Sequence, residues 1–233
     1  KLRGKRVLLA EDNPINRQLA MAILAEEGLL VEPVVNGREA LAAVFSKAYD
    51  AVLMDIQMPE MDGYQASGKI REQEAMAGRP AIPIIAMTAH AMKGDKEKCL
   101  AAGMNDYVTK PIHTGKLFAT LTRWLCPGEQ MIAEAEPAVV RTKPSHRDTA
   151  FPEALAGIDV AEGLARLNNN TKLYRELLLE FAVESGRRLD ALRAAIGEGD
   201  LQKAQEAMHS IKGMAGNLSA MAVFTAAKNA EEE

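Results

Sequence analysis

Five short apolar runs punctuate the first half of the chain, each followed by a polar residue and a stretch with helical spacing. Arg6 to Ala10 reads as the first strand. Asn13 is placed to cap the next helix, with Pro14 at its first position and Ile15, Leu19, Ala22 and Ile23 as its stripe. Gly28 ends that helix. Val31 to Val35 is a weaker strand, and Gly37 to Lys47 a helix carrying Ala40, Leu41 and Val44. Ala51 to Met54 has the composition of a strand buried on both faces. Met58-Pro59 and Asp62-Gly63 break it, and a helix is expected from Tyr64 to Ala77. Ile82 to Met87 is a fourth strand, Lys93 to Ala102 a helix, Asp106 to Thr109 a fifth strand, and Ile112 to Leu125 a closing amphipathic helix. Strands alternating with helices over short loops predict a parallel sheet with right-handed crossovers.

The pattern then changes. Residues 126 to 156 carry Pro127, Pro137, Pro144 and Pro152 with little periodicity, and read as a linker. Thirty flexible residues span roughly 30 Å, which gives an effective concentration on the order of millimolar between the parts they join. From Gly157 the chain is helical only. Asp159 is a plausible N-cap, with Val160, Leu164 and Leu167 on one face, and Asn168-Asn169-Asn170 interrupts. Leu173, Leu177, Leu178, Phe181, Leu189, Leu192 and Ile196 mark a long helix, and Gly197 to Gly199 a turn. Asp200 caps a helix carrying Leu201, Ala204, Ala207, Met208 and Ile211, and a last helical pattern runs from Leu218 into the acidic tail. Helices joined this tightly suggest an antiparallel bundle.

Composition narrows the classes. A net charge of -4 gives no electrostatic support for nucleic-acid binding. Cys99 and Cys126 lack metal-ligand spacing and read as reduced thiols, hence a cytoplasmic chain. No apolar run approaches the roughly 20 residues that span a bilayer, so direct membrane contact is not expected of this segment. The chain opens at Lys1, two residues before a domain starts, as a piece of a longer protein would.

The polar residues at the strand ends carry the chemistry. Glu11 and Asp12 follow the first strand, Asp55 ends the third, Thr88 ends the fourth, and Lys110 follows the fifth. The carboxyl ends of parallel strands share one edge, where open α/β sheets bind ligands. Any one of these groups could simply solvate a strand end; together they should converge. Clustered carboxylates repel unless a cation sits among them, and all-oxygen donors suit Mg²⁺. Mg²⁺ with an ammonium and a hydroxyl makes a cage for a phosphoryl group. Asp55 would be the nucleophile, Glu11 and Asp12 would hold the metal, and Lys110 and Thr88 would bind phosphoryl oxygens.

Glu11-Asp12, Asp55 within D-x-x-M-P-x-M-D-G, Thr88-Ala89 and Lys110-Pro111 resemble the receiver domain of two-component response regulators over residues 1 to 125. The resemblance implies a flavodoxin-like α/β fold, a five-stranded parallel sheet in 2-1-3-4-5 order, a type with established precedent. It also implies the backbone carbonyl of Gln57 as a metal ligand and Tyr107 as an aromatic switch that moves when Thr88 engages the phosphoryl group. The alternative for Tyr107 is an edge-strand aromatic at an interface.

In the helical part, His209, Lys212 and Gly213 share one helix face at i, i+3 and i+4, while Met208 and Ile211 turn inward and leave His209 largely outward. A Gly inside a helix costs about 1 kcal/mol against Ala, which close approach by another backbone or side chain would offset. An imidazole can accept a phosphoryl group, and a nearby ammonium would help neutralise it. From His209 alone, a solvated surface histidine is the blander reading. Ala207 to Gly213 with Asn217 is similar to the histidine phosphotransfer (HPt) domain, and so are Gly157-Ile158-Asp159 and the Leu173-to-Phe181 helix. That resemblance covers 157 to 233 and implies an all-α HPt bundle following the receiver. It makes His209 the phosphorylated residue, Lys212 phosphoryl-binding, and Gly213 the residue that gives a docking receiver room. Ser219 stands where the family usually has Gly. The sequence stops at Glu233, about where another helix should follow, so either the last helix is short or the bundle is truncated, and a truncated bundle would expose apolar surface.

A receiver followed by an HPt domain looks like the C-terminal part of a bacterial hybrid sensor histidine kinase in a phosphorelay. The resemblance implies a kinase core as donor, in the same parent chain or in trans, and a downstream response regulator receiver as acceptor. An inner-membrane anchor is expected only for the parent kinase. The segment lacks an ATP-binding kinase core of its own. Two rivals compete. A haloacid-dehalogenase-type phosphatase needs an Asp two positions after the nucleophile, where Gln57 stands. An interaction module without phosphorylation would not require the full acidic, Lys and Thr set.

Overall fold

In the computed structural model the described residues are 1–88, 93–126 and 151–232. Ala89 and most of the expected linker, 127 to 150, lie outside them. The first half alternates strictly: β1 Arg6–Ala10, α1 Pro14–Glu26, β2 Leu30–Val34, α2 Gly37–Ser46, β3 Ala51–Asp55, α3 Gly63–Met76, β4 Ile84–Thr88, α4 Lys93–Ala101, β5 Asp106–Thr109 and α5 Thr114–Leu125. All strand pairs are parallel, in the order β2-β1-β3-β4-β5.

Side-chain alternation divides the sheet into two faces. Val7, Leu9, Leu53, Ile85 and Met87 join the apolar layer that holds α1 and α5. Leu8, Ala10, Val52, Met54, Ile84 and Ala86 join the layer of α2, α3 and α4. The central β3 and β4 are buried along their whole length, as their continuous apolar runs require. Each fully buried aliphatic side chain here is worth roughly 1.5–3 kcal/mol. Asn13 caps α1 by accepting from the Ile15 and Asn16 amides, with Pro14 following.

The second half is helical: α6 Val160–Arg166, α7 Thr171–Glu198, α8 Leu201–Asn217 and α9 Met221–Glu232. Asn170, expected only as part of a break, caps α7 through the Leu173 amide, and Asn168 and Asn169 take left-handed φ values of 48° and 61°. Gly199, at φ 72°, ends α7, and Asp200 caps α8. α7, α8 and α9 pack as neighbours, and α1 of the sheet domain packs on both α7 and α8. The apolar layer around α1 is therefore continuous with Tyr174, Leu177, Phe181, Ile211, Met214 and Leu218 of the helical part. Tyr174 is fully buried and donates to the Leu218 carbonyl at 2.8 Å. A Cβ on Gly163 would lie 2.1 Å from that hydroxyl, so only glycine fits there.

Two expectations change. Leu189, Ile196 and Leu201, read as inward positions, are 42%, 64% and 76% exposed. Their period is helical, but in the far half of α7 the seam with α8 is filled by Leu192, Ala195 and Ala207. No described element covers the other side. His209, expected to point largely outward, is half-buried, one residue before the Ser210 that Asn13 reaches at the start of α1.

Ser219 takes φ 57°, a conformation that favours glycine, and its buried hydroxyl has no hydrogen-bond partner among the described residues. Ser219→Gly is therefore expected to stabilise the chain by about 1 kcal/mol. Urea unfolding of both proteins measures this, and an unchanged or lower midpoint would contradict it.

Candidate functional site

The sheet brings the strand-end residues together at one edge. Glu11 leaves β1, Asp55 ends β3, Thr88 ends β4 and Lys110 follows β5, and all four are buried. Oxygens of Glu11, Asp12 and Asp55 all lie within 4.8 Å of one another. The Lys110 ammonium donates to Asp55 Oδ2 at 2.6 Å and to Glu11 Oε2 at 2.7 Å. Two backbone features hold this arrangement. The Lys110 amide donates to the Thr88 carbonyl at 2.6 Å, tying the loop after β5 to the end of β4. A Cβ on Gly63 would lie 2.2 Å from the Asp55 carbonyl oxygen, so the start of α3 can pass the Asp55 backbone only as glycine.

The electrostatics follow from burial. Removal from water pushes the Asp55 carboxyl well above the usual range, and the Glu11 charge adds to this against the pull of Lys110. Asp12 is raised for the same two reasons, with Lys110 and Arg188 of α7 opposing. Burial alone would lower Lys110, but the Asp55 and Glu11 charges outweigh it and raise the ammonium further. The site holds more negative charge than one lysine neutralises. Three hard oxygen donors in a buried group short of positive charge fit a divalent cation of the Mg²⁺ kind. Gln57 is exposed in the loop directly after β3. Tyr107 is half-buried in β5, paired in register with Ala86 and packed against the α2–α4 layer.

The helical domain meets this same edge. Arg17 of α1 donates to the Glu11 and Asp12 carbonyls, both at 2.9 Å, which fixes the loop beneath the acids. From α8, the Ser210 hydroxyl accepts from Asn13 Nδ2 at 3.1 Å. A Cβ on Gly213 would sit 3.4 Å from Asn16 Nδ2, ordinary contact distance, so this glycine lies directly against α1. Lys212 is buried, and His209 is one residue before Ser210 on the same helix. Asn217 is fully buried: its Oδ1 accepts from the Ile112 amide at 3.0 Å, and its Nδ2 donates to Asn16 Oδ1 at 2.8 Å. Arg166 of α6 holds the end of α8 by donating to the Gly216 and Asn217 carbonyls.

Asn16, Arg166 and Arg188 were not singled out by sequence, and neither Asn13 nor Asn217 was read as a contact between the two halves. One signal for Asn16 was present. It follows Ile15 and precedes Ala20 and Leu24 on the buried face of α1, and a polar side chain on such a face implies a buried partner.

The sequence matches the response regulator receiver domain model over residues 7–122 and the Hpt domain model over residues 176–233. It is 35% identical over 211 residues to the sensor protein GacS of Pseudomonas syringae pv. syringae, a match spanning 91% of this chain and 22% of that protein. It is 33% identical over 214 residues to the sensor histidine kinase GacS of Pseudomonas protegens, with the same two coverages. The chain thus spans about a fifth of the length of these relatives. Among solved structures, a co-crystal of the Saccharomyces cerevisiae histidine phosphotransfer protein Ypd1 with the receiver domain of its downstream response regulator Ssk1 aligns with a TM-score of 0.52. That match is 31% identical and covers 54% of this chain and 92% of the other. With the sheet order, the acidic edge and both domain matches in agreement, the chain belongs to the receiver–Hpt family of phosphorelay signalling segments, the kind carried by hybrid sensor histidine kinases.

Proposed function

We propose that Asp55 takes a phosphoryl group from a histidine kinase, that His209 receives it from Asp55, and that the receiver of a downstream response regulator takes it from His209. The observation that carries this reading is the placement of α8, with His209 and Lys212, along α1 beside the Glu11, Asp12, Asp55 and Lys110 cluster of the same chain.

In the first step an Asp55 carboxylate oxygen attacks the phosphorus of the donor phosphohistidine. The P–O bond forms as the P–N bond breaks, and the donor imidazole keeps the electron pair. Acyl phosphate formation removes the Asp55 carboxylate charge, so the Lys110 ammonium, held between Asp55 and Glu11, turns to the phosphoryl oxygens. Thr88, at the end of the neighbouring strand, donates its hydroxyl to another of these oxygens. Glu11, Asp12, Asp55 and the Gln57 carbonyl would hold Mg²⁺, which when bound neutralises phosphoryl charge. Tyr107, half-buried on the adjacent strand, moves inward as Thr88 engages. In the second step a His209 ring nitrogen attacks the same phosphorus, the N–P bond forms, and Asp55 leaves as carboxylate. Lys212, one turn from His209, neutralises the phosphohistidine. The donor is a kinase core of the parent chain or of another. No described helix is long and apolar enough to cross a membrane, and free Cys99 and Cys126 fit a cytoplasmic segment.

A phosphotransfer assay with labelled donor kinase tests the roles. Asp55→Asn is expected to abolish acceptance. His209→Gln is expected to retain the alkali-labile acyl phosphate while losing the alkali-stable phosphohistidine and onward transfer. Normal onward transfer from His209→Gln would refute the relay.

Metal binding has a separate expectation. At a Mg²⁺ concentration one hundred times its dissociation constant, the chain gains about 2.7 kcal/mol of stability. Protons compete for the same oxygens, and burial raises both Asp55 and Asp12. The gain is therefore full above those raised values and fades as pH falls through them, starting above the ordinary carboxylate range. Thermal melts with and without Mg²⁺ from pH 8 to 5 measure this; Asp12→Asn should shrink the shift at every pH.

A further inference from the structure

We infer that Asn16 and Asn217 form a positioning pair that seats the His209 helix against the Asp55 site; the inference rests on the relay proposed above. The hydrogen bonds close a ring. The Lys110 ammonium donates to one Glu11 oxygen at 2.7 Å, and Asn16 Nδ2 donates to the other at 3.2 Å. Asn217 Nδ2 donates to Asn16 Oδ1 at 2.8 Å, and Asn217 Oδ1 accepts from the Ile112 amide at 3.0 Å. Ile112 is two residues beyond Lys110, so the ring returns to its start. Asn217 is its only member from the helical domain.

The ring has a defined polarity. Turning the Asn217 amide over would face its NH₂ toward the Ile112 N–H, two donors together. Turning Asn16 would face its oxygen toward the Glu11 carboxylate, two acceptors together. Each position therefore needs a group with one donor and one acceptor. Aspartate at 217 would supply no donor to Asn16 and would add a charge near Glu11. Both amides are buried, at 3% and 0% exposure, so an unmade bond here finds little water to replace it. Two supports keep the clasp in place. Arg166 fixes the Asn217 backbone, and the Asn13–Ser210 bond pins α8 close to His209. The clasp thus ties the seating of α8 to two supports of Lys110, its own loop at Ile112 and the Glu11 side chain. Asn16 and Asn217 touch no reacting atom; they act through Glu11, the Lys110 loop and the placement of α8.

The test uses the full chain and labelled acetyl phosphate with Mg²⁺, following acyl phosphate and phosphohistidine separately by alkali stability. Asn217→Ala is expected to load Asp55 and accumulate acyl phosphate, with phosphohistidine forming roughly ten- to hundredfold more slowly per acyl phosphate. Asn16→Ala should show the same slowing. The double variant should be no slower than the worse single one, because either change opens the same ring. Asn217→Asp should be slower than Asn217→Ala. A helical circular dichroism spectrum and cooperative melting confirm that each variant is folded. Wild-type transfer rates in both single variants, or multiplying effects in the double variant, would overturn the pairing. If the wild type itself loads Asp55 but never labels His209, the relay reading fails first, and the two failures are distinguishable.

Discussion

Everything at the acidic edge depends on one ammonium. Lys110 sits between two buried carboxylates, and its position is fixed by the end of β4, the loop after β5 and the Glu11 side chain. Burying an ion pair is seldom a stabilising choice by itself, since desolvation offsets much of the attraction. Here one positive charge faces three carboxylates, two of them pushed toward protonation. Such a site is short of positive charge by construction. A divalent cation would relieve that shortage, and in the proposed relay, conversion of Asp55 to an acyl phosphate would free the lysine for the phosphoryl oxygens. The surrounding fold serves to hold this imbalance: buried β3 and β4 set the depth of Asp55, and Gly63 lets α3 start within contact of its backbone.

That edge was legible because its logic is local to each strand end. An apolar run of four or five residues followed by an acid, a threonine or a lysine can be read without knowing what lies opposite. Parallel pairing then forces those groups onto one side of the sheet. The helical domain was legible in a similar way: the i, i+3, i+4 spacing of His209, Lys212 and Gly213 put them on one face, and Gly213 lies against Asn16 of α1.

What sequence could not supply was the partner of each face. Periodicity gave Leu189, Ile196 and Leu201 an inward side, but whether anything lies against it depends on how far α7 and α8 run together. The opposite error occurred at His209, which a single helix places outward and which is half-buried in the folded chain. Asn16 and Asn217 meet across 201 positions of sequence, and Asn13 and Ser210 across 197. No local pattern encodes such a pair. Ser219 shows a related limit: its side chain gives no hint of a φ of 57°.

The chemistry of the seam between the domains follows from what it borders. Ion pairs across it would add fixed charge beside a site already short of positive charge, and would require desolvating more ions to seat the helix. Neutral amides avoid both. They are directional, so they set register, and each adds only a small net stabilisation in water beside the apolar layer that α1 shares with α7 and α8. Asn13, Asn16, Ser210 and Asn217 provide that kind of contact, while Arg188 of α7 adds a positive charge that acts on Asp12. A seam of this composition sets where the His209 helix sits through directional neutral contacts rather than through added charge, which suits the proposed passage of a phosphoryl group from Asp55 to His209.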